Sequence, residues 1–522
     1  MACVGLLALL SGACGAPDGP AADGVLRRGM TNEPDTLDPH FSQQTEAASL
    51  LSDLYEGLVV LGPQGGPQPG VAESWTVSPD GLRHTFRLRP AARWSDGTPL
   101  LAEAFVASFR RVVDPATASP HAGLLRLIAG AEEIIRGEAA PETLRVRASG
   151  DRELQIDLAY PAPYFLSLLA HGSTRPVHMP SLMEHGRQFT RPGRLVSNGP
   201  YVLVERDREF VELTRNPHYW NSEAIEIDSV RYLSYEDESA QFAAYRAGQL
   251  DVTDEVPNSN VEQATGTYGE ELLIRPTKDT FYYGFNLRAG ALRDAPRLRE
   301  ALSMALQREI VVSRVTGFGE RAAYSFVPPV FGTYEPAYLP WGRLEPTDRN
   351  ARAMEIFESQ PSRPARPLRV LYNTNEGLRL ISVAVTSMWR EQLGLESALE
   401  NQEFGVFLQT LRDPTAWDVA RLSWRADFDD PFAMLEIFLS DSPNNFVGYD
   451  DAVYDDLIAR SHLQSSESAR MELLRQAESR LLESHAIAPV YYYVDHVLAK
   501  PWIEVGNRAS LRPLPTQDLR FR

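Results

Sequence analysis

Cysteine is nearly absent from the sequence: the 522 residues include two, Cys3 and Cys14. Both lie within the first fourteen positions, so at most one remains if an amino-terminal leader is removed there. A mature chain of that kind cannot form an internal disulfide. The scarcity also excludes the cysteine-containing ligand sets that structural zinc sites use.

Long apolar runs and positive charge are scarce as well. No apolar run approaches the roughly 20 residues that a membrane-spanning helix needs, so we expect the body of the chain not to cross a membrane. Lys and Arg number 51 against 70 Asp and Glu, which gives a net charge of −19. So negative a surface repels phosphate backbones, and we expect no nucleic-acid partner.

Recognisable catalytic and cofactor motifs are also missing. There is no Gly-x-Ser-x-Gly elbow and no P-loop, and the ten histidines include no pair at metalloprotease spacing. The acidic group Asp427, Asp429 and Asp430 suggests calcium. An EF-hand loop, however, needs Gly and Glu where this chain has Phe432 and Phe438. We predict no metal, no cofactor and no enzyme, with a hydrolase that uses a carboxylate pair left open as an alternative.

The length and the residue pattern indicate a large mixed protein. A chain of 522 residues exceeds the roughly 250–300 that one core accommodates, so two or more lobes are expected. His84, Phe86 and Leu88 alternate as in a strand, while residues 380–393, closed by Gly394, have helical spacing. Because such segments intermix along the chain, the predicted class is α/β.

The amino terminus has the pattern of an export signal. The apolar run 4–10 precedes Ser11-Gly12-Ala13, small residues typical of a cleavage site. Cys14 follows directly and resembles the acylated cysteine of bacterial lipoproteins, although the leucine of that motif stands one place too early. We predict a signal peptide and tether over residues 1–25, an extracytoplasmic location, and either plain secretion or a lipid anchor at Cys14.

Several motifs in the body of the chain together carry a family resemblance. They are Leu37-Asp38-Pro39-His40, Gly70-Val71-Ala72-Glu73-Ser74-Trp75, Trp94-Ser95-Asp96-Gly97-Thr98-Pro99, Ser197-Asn198-Gly199-Pro200-Tyr201, Leu371-Tyr372-Asn373-Thr374 and Trp424-Arg425-Ala426-Asp427. In this order and spacing the chain resembles the periplasmic oligopeptide-binding proteins of bacterial ABC permeases, extracellular solute-binding proteins of family 5. The resemblance runs from about residue 26 to about residue 502.

The resemblance implies a non-enzymatic receptor that encloses short peptides and delivers them to the transmembrane subunits of a permease. It implies a monomer without cofactor, with the periplasmic-binding-protein type II-like fold of two hinged lobes and an extra subdomain. The implied segments are 26–55, 179–278 and 495–522 for lobe I, 56–178 for the extra subdomain, and 279–494 for lobe II. A same-fold receptor for another amine-bearing solute, or a signalling receptor without a transporter, stays open.

The resemblance also assigns the ligand-binding residues. Asp427 matches the aspartate that pairs with the α-ammonium group of the peptide. Main-chain groups near Thr45 and in residues 422–425, which include Ser423 and Arg425, match those that pair with the peptide backbone. Trp424 and Phe404 match aromatic pocket positions, with ordinary core packing as the alternative for each.

The carboxylate end of the ligand is less defined. Arg421 and His171 match family pocket positions that can bind it. Two other positions that are basic in the family are Leu411 and Leu378 here, so the preferred ligand length stays open.

Well-known family members also carry a disulfide between the two strands that here contain Asp279 and Arg425. We predict that an ion pair replaces it. An exposed pair would contribute only about 0–1 kcal/mol, so packing must supply most of that strand contact.

Overall fold

The computed structural model describes residue 19 and residues 24–44, 47–361, 363–464, 466–509 and 513–522. Strands and helices intermix through these segments, which confirms the predicted α/β class. The strands are β1 Val25–Thr31, β2 Val59–Leu61, β3 Pro67–Pro69, β4 Ala72–Val77, β5 Arg83–Leu88, β6 Val146–Ala148, β7 Glu153–Asp157, β8 Tyr201–Arg206, β9 Phe210–Arg215, β10 Ser229–Tyr235, β11 Leu272–Phe285, β12 Arg321–Ala322, β13 Leu368–Asn373, β14 Ser397–Gln402, β15 Val419–Arg425, β16 Ile487–Leu498, β17 Ile503–Val505 and β18 Leu519–Phe521. The helices are α1 Ala48–Leu54, α2 Ala102–Val113, α3 Ala131–Ile135, α4 Phe165–Leu168, α5 Met179–His185, α6 Glu238–Arg246, α7 Val261–Thr267, α8 Pro296–Met304, α9 Arg308–Ile310, α10 Pro346–Glu358, α11 Glu376–Leu393, α12 Phe404–Thr410, α13 Phe432–Leu435, α14 Ala452–His462 and α15 Glu467–Glu483.

One four-stranded sheet joins distant parts of the chain in the order β1-β10-β9-β8. Strand β1 is parallel to β10, with Leu26 opposite Val230, and the other pairs are antiparallel. Its core also includes Leu514 and Leu519 near the carboxyl terminus. The first strand and the last described residues therefore stabilise the same hydrophobic cluster.

A second four-stranded sheet, β4-β5-β7-β6, is antiparallel and is formed within residues 72–157. In β5 the side chains of His84, Phe86 and Leu88 are buried, whereas Arg83 and Arg87 are exposed. Side chains alternate between the two faces of a strand, so this pattern packs one face on the core. The strand predicted from the alternation is confirmed.

The largest sheet has six strands in the order β12-β16-β11-β15-β13-β14. Strands β11 and β16, of 14 and 12 residues, pair antiparallel from Leu272 opposite Leu498 to Gly284 opposite Ile487. The register shifts between Pro276 and Thr280. Strand β15 pairs along the other side of β11 and then ends, which brings the residues after Arg425 to one end of the sheet.

Helix α11 shows why the predicted helix near residues 380–393 forms. The Asn375 side chain caps its start by accepting a hydrogen bond from the Leu378 N–H at 3.1 Å. Gly394 ends it in the left-handed conformation, with φ 63°, that glycine adopts without steric cost. On the inner face of the helix, Trp389 belongs to the hydrophobic core that covers the sheet. The indole N–H of Trp389 donates to the Leu302 carbonyl. The predicted helix and its stop are confirmed.

None of the described helices combines the length and the apolar character that crossing a bilayer would require.

Candidate functional site

A cavity of about 1320 Å³ lies at the end of the six-stranded sheet. Its walls are formed by residues from the segments 48–52, 61–67, 163–175, 275–279 and 425–431. These segments come from all three predicted bodies of the chain. The volume exceeds the 300–1,000 Å³ typical of pockets for small ligands, so the cavity suits an extended solute.

Asp427 lies in this cavity, two residues beyond the end of β15. Its side chain is open to the cavity while protein surrounds the site, and this burial raises the pKa of Asp427 to about 6. Within the described part of the chain, no side chain forms an ion pair or hydrogen bond with its carboxylate. An acid held in this way is available to a cation that enters from outside.

The two acids that follow are, by contrast, paired inside the protein. The carboxylate of Asp429 lies 2.6 Å from the Lys278 ammonium and accepts a hydrogen bond from the Gly66 N–H at 3.0 Å. Asp430 accepts two hydrogen bonds from Arg470, at 2.6 and 2.8 Å, and both side chains are buried. These partners stabilise their carboxylates and leave them unavailable for a ligand cation.

Arg425 and Asp279 form the ion pair predicted from the sequence. They are opposite each other on β15 and β11, and the guanidinium lies 2.6 Å from the Asp279 carboxylate. The Arg425 Nε also donates to that carboxylate at 2.7 Å, and Asp495 lies 4.0 Å away. The prediction of an ion pair is confirmed. Acidic side chains thus hold the Arg425 guanidinium.

The other predicted residues of β15, which are Trp424, Arg421 and Ser423, are not among the residues that line the cavity. Trp424 donates from its indole N–H to the Ala433 carbonyl at 2.7 Å and packs on the sheet core. Arg421 donates to the Asn373 side chain at 3.1 Å. Ser423 pairs with Phe281 in the ladder between β15 and β11.

Phe404 also lies outside that lining. Phe404, 54% exposed, begins α12 and stacks near Phe407 with ring centroids 6.4 Å apart. Thr45 lies outside the described residues, as does Cys14, so the structure gives no position for either. Their predicted roles stay predictions.

The family model for bacterial extracellular solute-binding proteins, family 5 (Middle), matches residues 66–446. The chain belongs to this family. Family 5 membership confirms the resemblance seen in the sequence motifs. The fold is the two-lobed, periplasmic-binding-protein type II-like α/β fold, since solved family 5 structures superpose over nearly the whole chain.

Individual family 5 relatives cover nearly all of this chain. It is 37% identical over 501 residues to the periplasmic oligopeptide-binding protein of Salmonella typhimurium, which covers 94% of this chain and 90% of the relative. The structure of the murein tripeptide-binding protein of Escherichia coli superposes with a TM-score of 0.83 at 33% identity, covering 95% and 98% of the two chains. The Haemophilus influenzae oligopeptide-binding protein, solved in complex with RPPGFSPFR, gives 0.81 at 31% identity, covering 95% and 99%.

His171, the remaining predicted site residue of this family 5 protein, lines the cavity. Its Nδ1 accepts a hydrogen bond from the Ser173 N–H at 3.2 Å, and its ring lies edge-on to His121 with centroids 5.3 Å apart. Burial lowers the pKa of His171 to about 3. The ring is therefore neutral at pH 7, and its proton is on Nε2 because Nδ1 is an acceptor.

Sequence reasoning missed two groups of cavity residues. Lys278, one of the two lysines of the chain, neutralises Asp429, and Tyr164 contacts Phe428 and Phe432 across the cavity wall. The rarity of lysine was a signal for Lys278. No local pattern in the sequence points to Tyr164, because its partners lie more than 260 positions further along the chain.

Proposed function

We propose that this family 5 protein is the extracytoplasmic receptor of an ABC importer, which binds short peptides and delivers them to the permease. The observation that carries the proposal is the Asp427 carboxylate in the cavity, which has no cationic partner among the described residues. Peptides of every sequence share an α-ammonium group. A receptor that anchors this group can therefore accept many side chains.

The strength of this anchor follows from its environment. A charge-assisted hydrogen bond contributes about 1.5–3 kcal/mol. The protein that surrounds Asp427 raises the cost of leaving the carboxylate ionised and unpaired, so an incoming ammonium group recovers part of that cost. Removal of the acid would strand the ligand cation in the closed cavity. Asp427 is thus the residue that selects ligands with a free amine.

The backbone of the peptide is proposed to pair with β15. On the β13 side of that strand, the described ladder pairs Val419 and Ala420 with β13 and does not continue to Arg421 and Ser423. An extended ligand can add there as a further strand, and main-chain pairing ignores side-chain identity. The main chain of Ser423, Trp424 and Arg425, together with that of Thr45 from the other lobe, forms this proposed contact. Waters in the cavity can adapt to each side chain.

Hinge closure is proposed to enclose the ligand. The lobe borders predicted at 278/279 and 494/495 fall within β11 and β16, the two longest strands. The register shift between Pro276 and Thr280 lies beside the first border, and such irregularities bend a strand locally. Ligand binding favours closure because the ligand contacts both lobes only in the closed state. The closed form would dock on the permease as a monomer, either anchored by a lipid at Cys14 or secreted without an anchor.

Calorimetry with free and acetylated peptides tests this function. Trialanine should bind the wild type, and N-acetyl-trialanine should bind at least about a hundredfold more weakly, because the acetylated amine carries no charge. Asp427→Asn should lower the affinity for trialanine by the same factor. The exposed acid Asp441 offers a matched control, and Asp441→Asn should bind as the wild type does.

Equal affinity of the wild type for the free and the acetylated peptide would disprove the ammonium anchor. Binding of a different amine-bearing solute but no peptide would favour the alternative same-fold receptor. Recovery of the peptides after incubation distinguishes a receptor from a secreted hydrolase. A receptor returns the peptides intact, whereas a peptidase shortens them.

A further inference from the structure

A second, smaller cavity lies in the predicted extra subdomain, apart from the cavity that holds Asp427. Its volume is about 310 Å³, and it is lined by Arg110 and by residues 142–147, none of which lines the larger cavity. Arg110 is in the last turn of α2, and residues 142–147 lead into β6, the end strand of the sheet β4-β5-β7-β6. The cavity therefore lies between the end of a helix and the edge of a sheet, and it has room for a small solute.

The lining of this second cavity is rich in positive charge. Three of the seven lining residues are arginines, Arg110, Arg145 and Arg147. The acid among them is Glu142. Because the whole chain has a net charge of −19, this excess of positive charge is a local feature. Neither Arg110 nor Arg145 forms an ion pair with a carboxylate of the described residues, so both are available to an anion.

Arg145 and Arg147 point to the same side of the chain. Leu144 and Val146 are buried, whereas the two arginines between and after them are exposed. Side chains alternate between the two faces of an extended segment, so Arg145 and Arg147 share one face. The Arg145 N–H donates to the Ala129 carbonyl at 3.0 Å, which fixes the main chain at this point.

The charge of Arg147 is neutralised only in part. Its guanidinium contacts the carboxylate of Asp157. The Arg83 Nε donates to the other oxygen of the same carboxylate at 2.7 Å. One carboxylate thus faces two guanidinium groups, and positive charge is left over beside the cavity.

The Arg110 guanidinium is oriented by the cavity wall. Its Nη2 donates to the main-chain carbonyl of Glu142 at 3.3 Å. Its Nε is buried and has no hydrogen-bond partner among the described residues. Buried N–H groups of native proteins nearly always have a partner, so this donor is suited to an acceptor from outside the chain. A charged acceptor would also compensate the guanidinium.

We propose that this cavity binds a small oxyanion of the phosphate class, held by Arg110, Arg145 and Arg147. A forked guanidinium matches two oxygens of a phosphate group at once. Free phosphate and the phosphate group of an anionic lipid share this chemistry. A chain with a net charge of −19 is repelled by an anionic bilayer, so the expected ligand is the soluble anion. The site is separate from Asp427 and goes beyond the proposed function.

Calorimetry with inorganic phosphate, in a buffer that contains no other oxyanion of this class, tests the site. The wild type should bind phosphate with a dissociation constant below about 1 mM. Arg110→Gln should weaken this binding at least about tenfold, because it removes a charge-assisted hydrogen bond. Arg145→Gln should have a similar effect, and its exposed position makes it safe for folding. Arg110→Lys should keep part of the affinity, because it keeps the charge without the fork of donors.

Arg136→Gln is the matched control. Arg136 is an exposed arginine of the same predicted subdomain, is paired with Glu132 at 2.8 Å, and does not line the cavity. This variant should bind phosphate as the wild type does. Thermal unfolding verifies the folding of each variant, and all of them should bind trialanine with the affinity of the wild type.

Sedimentation with vesicles of phosphatidylglycerol and phosphatidylcholine in equal parts distinguishes the two sources of phosphate. The wild type should stay in the supernatant; sedimentation that Arg110→Gln abolishes would assign the site to a lipid phosphate.

The proposal is overturned if the wild type neither binds phosphate at about 10 mM nor sediments with the vesicles. It is also overturned if folded Arg110→Gln binds phosphate as tightly as Arg136→Gln does. Should Arg110→Gln fail to fold, Arg145→Gln decides by the same comparison. Each of these results concerns this cavity alone, so the proposed function is tested independently.

Discussion

Tyr164 stacks on Phe428, with ring centroids 5.1 Å apart and an angle of 15° between the rings. The first residue belongs to the predicted extra subdomain, and the second directly follows Asp427. Phe432, at 5.0 Å, and the Arg470 guanidinium, 5.5 Å above the Tyr164 ring, complete the contact. Asp427, the proposed anchor for the ligand, is thus next in sequence to an aromatic contact between the two sides of the cavity.

Tyr164→Ala should therefore weaken closure. An aromatic pair contributes about 0.5–1.5 kcal/mol beyond its buried area, so peptide affinity should fall about three- to tenfold. Small-angle scattering of the ligand-free variant should show a larger radius of gyration than that of the wild type. Tyr164→Phe keeps the ring and should behave as the wild type in both measurements. An unchanged radius and affinity for Tyr164→Ala would show that this contact does not affect closure.

The affinity for free-amine peptides should depend on pH. Burial raises the pKa of Asp427 to about 6, so the carboxylate that pairs with an ammonium group is lost as the pH falls through 6. Burial raises the pKa of the neighbouring Glu436 to about 8, which keeps that group mostly neutral at pH 7. Affinity should rise about tenfold from pH 5 to pH 7. Calorimetry from pH 5 to pH 7 measures this change in affinity, and Asp427→Asn should make the affinity independent of pH. If the affinity of the wild type does not change over this range, Asp427 is not the group that binds the ammonium.

Glu478 should be a major determinant of stability. Its buried carboxylate accepts hydrogen bonds from the Phe326 and Val327 N–H groups, the Tyr334 hydroxyl and the Ala337 N–H, at 2.7–2.9 Å. Glu478→Gln puts an amide NH₂ against these donors and should lower the free energy of unfolding by about 2–4 kcal/mol.

Denaturant titration measures this loss. Glu472, exposed on the same helix and paired with Arg475, is the matched control, and Glu472→Gln should cost less than about 1 kcal/mol. Because the loop held by Glu478 includes cavity residues 330–333, peptide binding should weaken as well. Equal stability of the two variants would show that the four donors find other acceptors.

Asp279 and Arg425 should accept a disulfide in place of their ion pair. They are opposite each other on neighbouring strands, and changing both leaves no unmatched charge between the two. Asp279→Cys combined with Arg425→Cys should form the bond under oxidising conditions and stabilise the protein by about 2–4 kcal/mol. Melting with and without reductant measures the gain. The single variant Asp279→Cys should show no effect of reductant, and a double variant insensitive to reductant would mean that the bond does not form.

Local patterns in the sequence predicted the local structure well. The alternation around Phe86 and the helix closed by Gly394 follow from the periods of a strand and a helix, which neighbouring residues set. The family motifs predicted the two-lobed fold, and the strand comparison predicted the pair of Asp279 and Arg425. The strand and the helix were predictable because neighbouring residues set their periods, whereas the two lobes and the Asp279–Arg425 pair were predictable because the family resemblance carries long-range information.

The sequence alone determined the class, the family and the position of Asp427 in the chain. Only the tertiary structure decided which charges remain available to a ligand. Asp429 and Asp430 have the same chemistry as Asp427, yet Lys278 and Arg470 neutralise them, while Arg175 faces the cavity without a close carboxylate. The physical reason is that ion pairing and burial depend on distances between residues far apart in the chain, and those distances exist only once the chain has folded.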